Sequence, residues 1–337
     1  MAHILEKKIF DLLDLALKEN KLTAKFHRIL CDFYSSYKNA LAAAGADAKV
    51  YTPLFLTLSQ LILQQFAHTF TFEPYHKAVR TPFDYYRFGL DFFRPIVDFK
   101  RSTLLGEKSL DEISHYLQRG ENVIFFANHQ VEPDPQLMSL LLEKKYPQLA
   151  EEIIFVAGER VLIDPLAIPL SMGRNLLCIY SKKHIDHPPE LKLQKQFHNK
   201  HTMETMSVLL SDGGKAIYVA PSGGRDRPNK QGTVEVALLD PNSIEMFYLM
   251  AKKAKRTTHF YPLALRTHDI LPPPPSLERE MGEKRLAHYA PVHMCVGEEI
   301  DMLSFPGNDA PQKELIRKNR ADYIHSLVLK DYQKLFP

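Results

Sequence analysis

The chain has 337 residues, 45% of them apolar and 25% charged, with a formal net charge of +3. That length can bury a substantial core and leads us to expect two domains, or one large domain with an appendage. So mild a positive charge argues against a nucleic-acid partner, which would call for a more basic domain, but it allows a local basic patch facing a phosphate or an acidic protein.

Residues 3–70 read as helices, with no strand pattern. In Leu22–Leu41 the apolar residues Phe26, Ile29, Leu30, Phe33, Tyr34, Tyr37 and Leu41 recur at spacings of three and four. Thr52-Pro53 is expected to cap and open a helix running through Leu56, Leu63 and Phe66. We therefore expect a small all-helical bundle domain over 1–75, followed by a larger domain over 76–337. After a break at Phe72-Glu73-Pro74, the aromatic run FDYYRFGLDFFRPIVDF (83–99) is expected to be core, packing one domain on the other.

From about residue 105 the pattern alternates. A helix over 105–120 ends at Gly120, and NVIFFAN (122–128) is a buried strand. Asp134-Pro135 then opens a helix through Leu137, Leu140, Leu141 and Leu142. Further strands are expected at IIFVAG (153–158), LLCIY (176–180), AIYVA (216–220) and HFYPLAL (259–265). The helices between them are TMETMSVLLSDGG (202–214), closed by glycine, and IEMFYLMAKKAK. The expected fold class is α/β, a mainly parallel mixed sheet flanked by helices, with functional groups at the carboxyl ends of strands. LPPPPS (271–276) is a stiff polyproline stretch leading into EREMGEKR.

The first constellation that can carry chemistry is ANHQVEPDP (127–135). His129 falls just past a strand and Asp134 at the start of a helix. A carboxylate on Nδ1 would fix the imidazole tautomer and leave Nε2 free to take a proton. The competing reading makes Asp134 an N-cap and His129 an ordinary loop histidine. The second is APSGGRDRP (220–228), a glycine-rich turn followed by Arg225 and Arg227, suited to a phosphate or else a solvated surface turn. The third is YSKKHIDHPPEL (180–191), which places Lys183 and His184 past another strand.

Two other chemistries are weighed and set aside. His184-x2-His187 and His198-x2-His201 lack thiolates and have atypical zinc spacing, so no metal or cofactor is expected. Ser222 sits in a near miss for the G-x-S-x-G nucleophile elbow, with the first glycine absent and Pro221 stiffening the turn.

Together these segments resemble the soluble, chloroplast-type glycerol-3-phosphate acyltransferases, which also occur in some bacteria. NHQVEPDP is similar to that family's acyltransferase motif. VAGERVLIDPLAIPLSMGRNLLCIYSKKHI (156–185), APSGGRDRP and FYPLAL with HDILPPPPSLEREMGEKR (260–285) look like three further blocks in the same order, and FDYYRFGLDFFRP and the helical N-terminal region also look like the family's. Val131 and Pro133 depart from the Thr and Ala expected in the first block. Ser222 stands where the wider acyltransferase superfamily has glutamate, a change shared by the chloroplast-type branch.

The resemblance implies His129 and Asp134 as the catalytic pair, with Lys183, His184, Arg225 and Arg227 holding the substrate phosphate. It implies acyl transfer from acyl carrier protein or acyl-coenzyme A to the sn-1 hydroxyl of glycerol 3-phosphate. The alternatives are a serine hydrolase using Ser222, or a non-catalytic binding protein for phospholipids or acyl carriers. Three dispersed cysteines, no apolar run near the ~18 residues of a membrane span, and no signal or transit segment lead us to expect a bacterial cytoplasmic protein, or a trimmed one of the plastid stroma. Transient contact with a membrane surface is compatible with this. A run of lysines including Lys192, Lys195 and Lys200 reads as a docking face for an acidic acyl carrier protein or as a solvated helix face.

Overall fold

A computed structural model describes residues 2–180, 185–274 and 281–336. The chain opens with three helices, α1 (Ala2–Lys18), α2 (Ala24–Ala43) and α3 (Ala48–Ala67). The start of α3 differs from the expectation. Asp47 is the cap, its carboxylate accepting the Lys49 N–H at 2.8 Å, and Pro53 lies inside the helix. A proline so near the N-terminus removes only one early N–H, a loss that the burial of Phe55, Leu58 and Ile62 offsets.

Ile9, Leu13, Leu30, Phe33, Tyr37 and Phe55 fill the centre of this bundle. The same core continues into α4 (Tyr85–Phe93), which comes after the two-residue strand β1 (Tyr75–His76). Phe92 stacks on Tyr37 with ring centroids 4.5 Å apart, and the Tyr37 hydroxyl donates to the Phe92 carbonyl at 2.9 Å. The aromatic segment is thus the packing core between the helical bundle and the C-terminal part of the chain.

Beyond α4 the elements alternate. In order come β2 (Thr103–Leu105), α5 (Glu107–Gln118), β3 (Asn122–Ala127), α6 (Asp134–Leu142), α7 (Pro147–Glu152), β4 (Ile154–Gly158), α8 (Glu159–Ile163), α9 (Ile168–Ser171) and β5 (Asn175–Ile179). Next are α10 (Lys192–Asp212), β6 (Ala216–Val219), the short pair β7 (Arg227–Pro228) and β8 (Val234–Glu235), α11 (Pro241–Lys253), β9 (Thr258–Arg266), β10 (His293–Val296) and α12 (Lys313–Gln333). Eight strands make one sheet in the order β1-β5-β4-β6-β3-β9-β10-β2. All pairs are parallel except β1 with β5 and β9 with β10.

β3 lies near the centre and is buried along its whole length. Val123, Phe125 and Ala127 point into a core with Ile113 of α5 and Met138 of α6. Ile124 and Phe126 point the other way, against Met206 of α10, Phe247 of α11 and Ile324 of α12. Helices therefore cover both faces, as a parallel sheet requires. Helix α10 begins at Lys192 rather than at Thr202. Two of its inward positions in that first half are Lys195 and Thr202, so the apolar period that reveals a helix is missing there. It ends as expected at Gly213, whose φ of +85° an L side chain rarely adopts. Among the described residues no helix is long and apolar enough to cross a membrane.

Candidate active site

The parallel order sets the carboxyl ends of β5, β4, β6, β3 and β9 side by side along one edge of the sheet. His129 comes just after β3. Its Nδ1 lies 2.8 Å from Oδ2 of Asp134, whose side chain is 1% exposed while that of His129 is 28% exposed. One ring edge is thus tied to a carboxylate inside the protein while the residue keeps a face to solvent.

Asp134 is the first residue of α6, but its side chain makes no capping bond there. Its carboxylate turns back instead. Oδ2 accepts the N–H groups of Gln130 at 2.8 Å and Val131 at 3.3 Å, and Oδ1 accepts the Thr267 hydroxyl at 2.5 Å. The N-cap alternative therefore does not describe this aspartate. A carboxylate so supplied with donors is satisfied despite its burial, and it holds the His129 ring in one orientation and tautomer.

The loop between them is fastened by amide side chains. Asn128 Nδ2 donates to Asp226 Oδ2 at 2.7 Å and to the Leu265 carbonyl, while its Oδ1 accepts the Leu265 N–H. Gln130 Oε1 accepts the N–H groups of Thr267 and His268, and its Nε2 donates to Asp226 Oδ2 and the Tyr332 hydroxyl, both at 3.2 Å. Asp226 is fully buried, and its own N–H donates to the His129 carbonyl at 2.6 Å. Burial pushes the Asp226 carboxyl up, countered in part by the Ala237 N–H and the Asn128 and Gln130 amides. Asp226 stands between Arg225 and Arg227, so it joins the arginine loop directly to the His129 loop.

Around the turn at Gly223, where φ is +66°, the chain delivers Arg225 and Arg227. Arg225 donates to Glu283 at 2.5 Å and is 14% exposed; Arg227 donates to the Pro274 carbonyl. Burial and then the Arg225 guanidinium pull the Arg227 pKa down, the mark of two cations held close. Lys183 and His184, the other expected phosphate residues, lie outside the described residues.

The Ser222 hydroxyl donates to the Gly224 carbonyl at 2.9 Å, so its proton is directed at backbone and not at a base. His198 is bonded to the Cys178 carbonyl at 3.2 Å and its ring packs on Tyr180. Lys195 does not belong to a docking face. Its side chain is 4% exposed, with Nζ 2.7 Å from Glu159 and 5.4 Å from the Tyr180 ring centroid. The helix turns that position inward, leaving Lys192 and Lys200 exposed beside Leu193 and Phe197.

Sequence reasoning passed over Asn128, Gln130, Asp226, Thr267 and Tyr332. Asn128 and Gln130 flank His129 in its own motif, and Asp226 is an acidic residue between two arginines, so these three had a local signal; Thr267 and Tyr332 reach the site only through the pairing of β3 with β9 and the packing of α12. A groove of about 720 Å³ lined by Tyr248, Lys252, Arg256 and Leu303 lies at the other edge of the sheet, near the start of β9, remote from this chemistry.

The acyltransferase family profile matches residues 110–266. The chain is 41% identical to the chloroplastic glycerol-3-phosphate acyltransferase of Arabidopsis thaliana over 80% of this chain and 60% of that one. It is 38% identical to a chloroplastic glycerol-3-phosphate acyltransferase of Cucurbita moschata over 88% of this chain and 67% of that one. The solved 1-acyl-sn-glycerophosphate acyltransferase of Thermotoga maritima is a distant likeness, at 16% identity and a TM-score of 0.38 over 74% of this chain and 82% of that one. The chain spans 57% to 60% of the length of its relatives from Arabidopsis thaliana, Spinacia oleracea and a second Cucurbita moschata protein. On these matches the chain belongs to the glycerol-3-phosphate acyltransferase family of the chloroplastic type.

Proposed function

We propose that the chain transfers a fatty acyl group from an acyl-thioester to the sn-1 hydroxyl of glycerol 3-phosphate, giving lysophosphatidate. The observation that carries this reading is the His129–Asp134 pair at 2.8 Å, bound through the His129 carbonyl to the loop that holds Arg225 and Arg227. Arg225 and Arg227, with Lys183 and His184, hold the acceptor phosphate and so fix the hydroxyl near His129. His129 Nε2 takes the hydroxyl proton as the oxygen attacks the thioester carbonyl, and Asp134 stabilises the imidazolium that forms. The tetrahedral intermediate collapses to ester and thiol, and the imidazolium returns its proton to the leaving sulfur. No covalent acyl-enzyme is needed, and the bond from the Ser222 hydroxyl to the Gly224 carbonyl favours direct transfer over the hydrolase reading.

The donor is acyl carrier protein or acyl-coenzyme A. The place of work is a bacterial cytoplasm or a plastid stroma, with only transient membrane contact. Residues 1–75 act as a helical bundle domain and 76–337 as the catalytic domain, joined by the core around Tyr37 and Phe92. The test is direct. Purified protein is given glycerol 3-phosphate and a labelled acyl-thioester, and the products are analysed for lysophosphatidate. Free fatty acid without lysophosphatidate would replace this reading with hydrolysis.

A further inference from the structure

A third guanidinium stands beside Arg225 and Arg227. Arg160 is the second residue of α8, just past the carboxyl end of β4, the neighbour of β6 in the sheet. Its Nη1 is paired with Oε1 of Glu283, whose other oxygen, Oε2, takes Nη2 of Arg225 at 2.5 Å. One buried carboxylate therefore bridges two arginines from adjacent loops. Arg160 and Arg225 both act on the Arg227 charge, so all three cations lie together.

Glu283 is not on a free strap. Its carbonyl accepts from Arg285 at 3.1 Å, and Arg285 is buried and paired with Glu132 at 2.8 Å and Asp164 at 3.0 Å. Glu132 belongs to the His129–Asp134 loop and Asp164 lies just past α8. The backbone under Glu283 is thereby clamped to both.

We propose that Arg160 is a further ligand of the acceptor phosphate and that Glu283 is a positioning residue that aims Arg160 and Arg225 at it. This deepens the acyl-acceptor reading above and rests on it. Among the described residues, the three guanidinium groups Arg160, Arg225 and Arg227 outnumber the one carboxylate, Glu283, that bridges two of them, which leaves an excess of positive charge there. A phosphate monoester at neutral pH carries about −1.5 to −2, so the sign of the cluster suits it. A guanidinium is a planar fork of five N–H donors that suits carboxylate and phosphate oxygens alike, and Glu283 holds one edge of the fork of Arg160 and of Arg225 in a fixed direction. Because the segment is clamped, Glu283 stays in place when the phosphate arrives.

The sign of one substitution separates this from simple charge counting. Removing a negative charge beside an anion site should tighten binding. If Glu283 aims the arginines, Glu283→Gln should weaken it. The experiment measures glycerol 3-phosphate binding by calorimetry, with glycerol as the control without phosphate, for the wild type, Arg160→Ala, Arg160→Lys and Glu283→Gln. Arg160→Ala should lose about ten-fold or more in affinity, the scale of one charge-assisted contact. Arg160→Lys, which keeps the charge but not the fork, should lose less, and Glu283→Gln several-fold. The KM for glycerol 3-phosphate should rise in parallel while that for the acyl donor stays level. Arg160→Ala binding within two-fold of wild type would remove Arg160 from the site. Tighter binding by Glu283→Gln would overturn the positioning role. A wild type that binds neither compound would overturn the acceptor reading itself.

Discussion

Thr267 donates its hydroxyl to Oδ1 of Asp134 at 2.5 Å, on the oxygen that His129 does not use. Each oxygen of this buried carboxylate thus has its own partners, and Thr267, at the end of β9, completes a set begun by residues of the β3–α6 loop. We expect Thr267→Val, which keeps the shape but removes the donor, to lower kcat about ten-fold, because an unsatisfied buried oxygen costs ~1–3 kcal/mol and loosens the pair. Both KM values should stay near wild type. Steady-state kinetics with each substrate varied checks this; an unchanged kcat would reduce Thr267 to a packing residue.

His129→Ala should lower kcat by ~10²–10⁴-fold with little effect on substrate binding, the usual range for loss of a general base. Asp134→Asn should also lower kcat. If its amide puts N–H₂ where Oδ2 was, it faces the backbone N–H groups of Gln130 and Val131, donor against donor; if it puts N–H₂ where Oδ1 was, the Thr267 hydroxyl loses its acceptor and His129 keeps only a neutral amide oxygen in place of the carboxylate that stabilises its imidazolium. Either variant keeping more than a tenth of wild-type kcat while folded would break the assignment.

Arg225→Ala and Arg227→Ala should each raise the KM for glycerol 3-phosphate about ten- to 150-fold, since a charge-assisted hydrogen bond contributes ~1.5–3 kcal/mol. Saturation with the acyl donor should hardly change. A loss of donor affinity instead would move these arginines to the donor's phosphate.

The lysines of α10 should divide by burial. Lys195→Glu reverses a buried, paired cation and places two carboxylates together at Glu159, so it should destabilise the fold by about 3–5 kcal/mol, read as a lowered midpoint in urea. Lys192→Glu with Lys200→Glu should leave the midpoint nearly unchanged, because both are exposed. If an acyl carrier protein docks there, the double variant raises KM for that donor and not for acyl-coenzyme A, as added salt would. Equal responses of the two donors would remove docking from this face.

Burial pushes the Glu283 carboxyl up, but Arg225, Arg160 and Arg285 outweigh it and hold its pKa below the usual 4.5. The folded state therefore binds its proton less tightly than the unfolded chain does. The stability this contributes is full above pH 4.5 and is lost as pH falls through the depressed folded value. Glu283→Gln should accordingly lower Tm near pH 7, with the gap to wild type narrowing in acid. A gap that is constant with pH would mean that ionised Glu283 adds no stability through these arginines.

The order of the five main strands from β3 to β9, and with it the edge on which His129 and Arg225 sit, was written in local pattern, whereas the short elements α7, α8, α9, β7 and β8 were not. Continuous apolar runs mark strands buried on both faces, and short-range periodicity and turn residues need no knowledge of the rest of the chain. His129 and Asp134 share one short loop, so their meeting was also legible. What the sequence could not convey was how Asp134 uses its carboxylate. An aspartate at a helix start reads as a cap. Only the fold shows its oxygens claimed by His129, two loop amides and Thr267, the last brought by pairing of β3 with β9. Lys195 shows the same limit from the other side. A lysine in a polar run reads as solvated, and its burial against Glu159 and Tyr180 results from which face of α10 meets the sheet. Arg160, Arg225 and Glu283 lie far apart along the chain and become one cluster because strand order sets loops side by side. Local propensity records what a residue prefers near its sequence neighbours; the energy of a buried charge depends on partners that only the closed fold supplies.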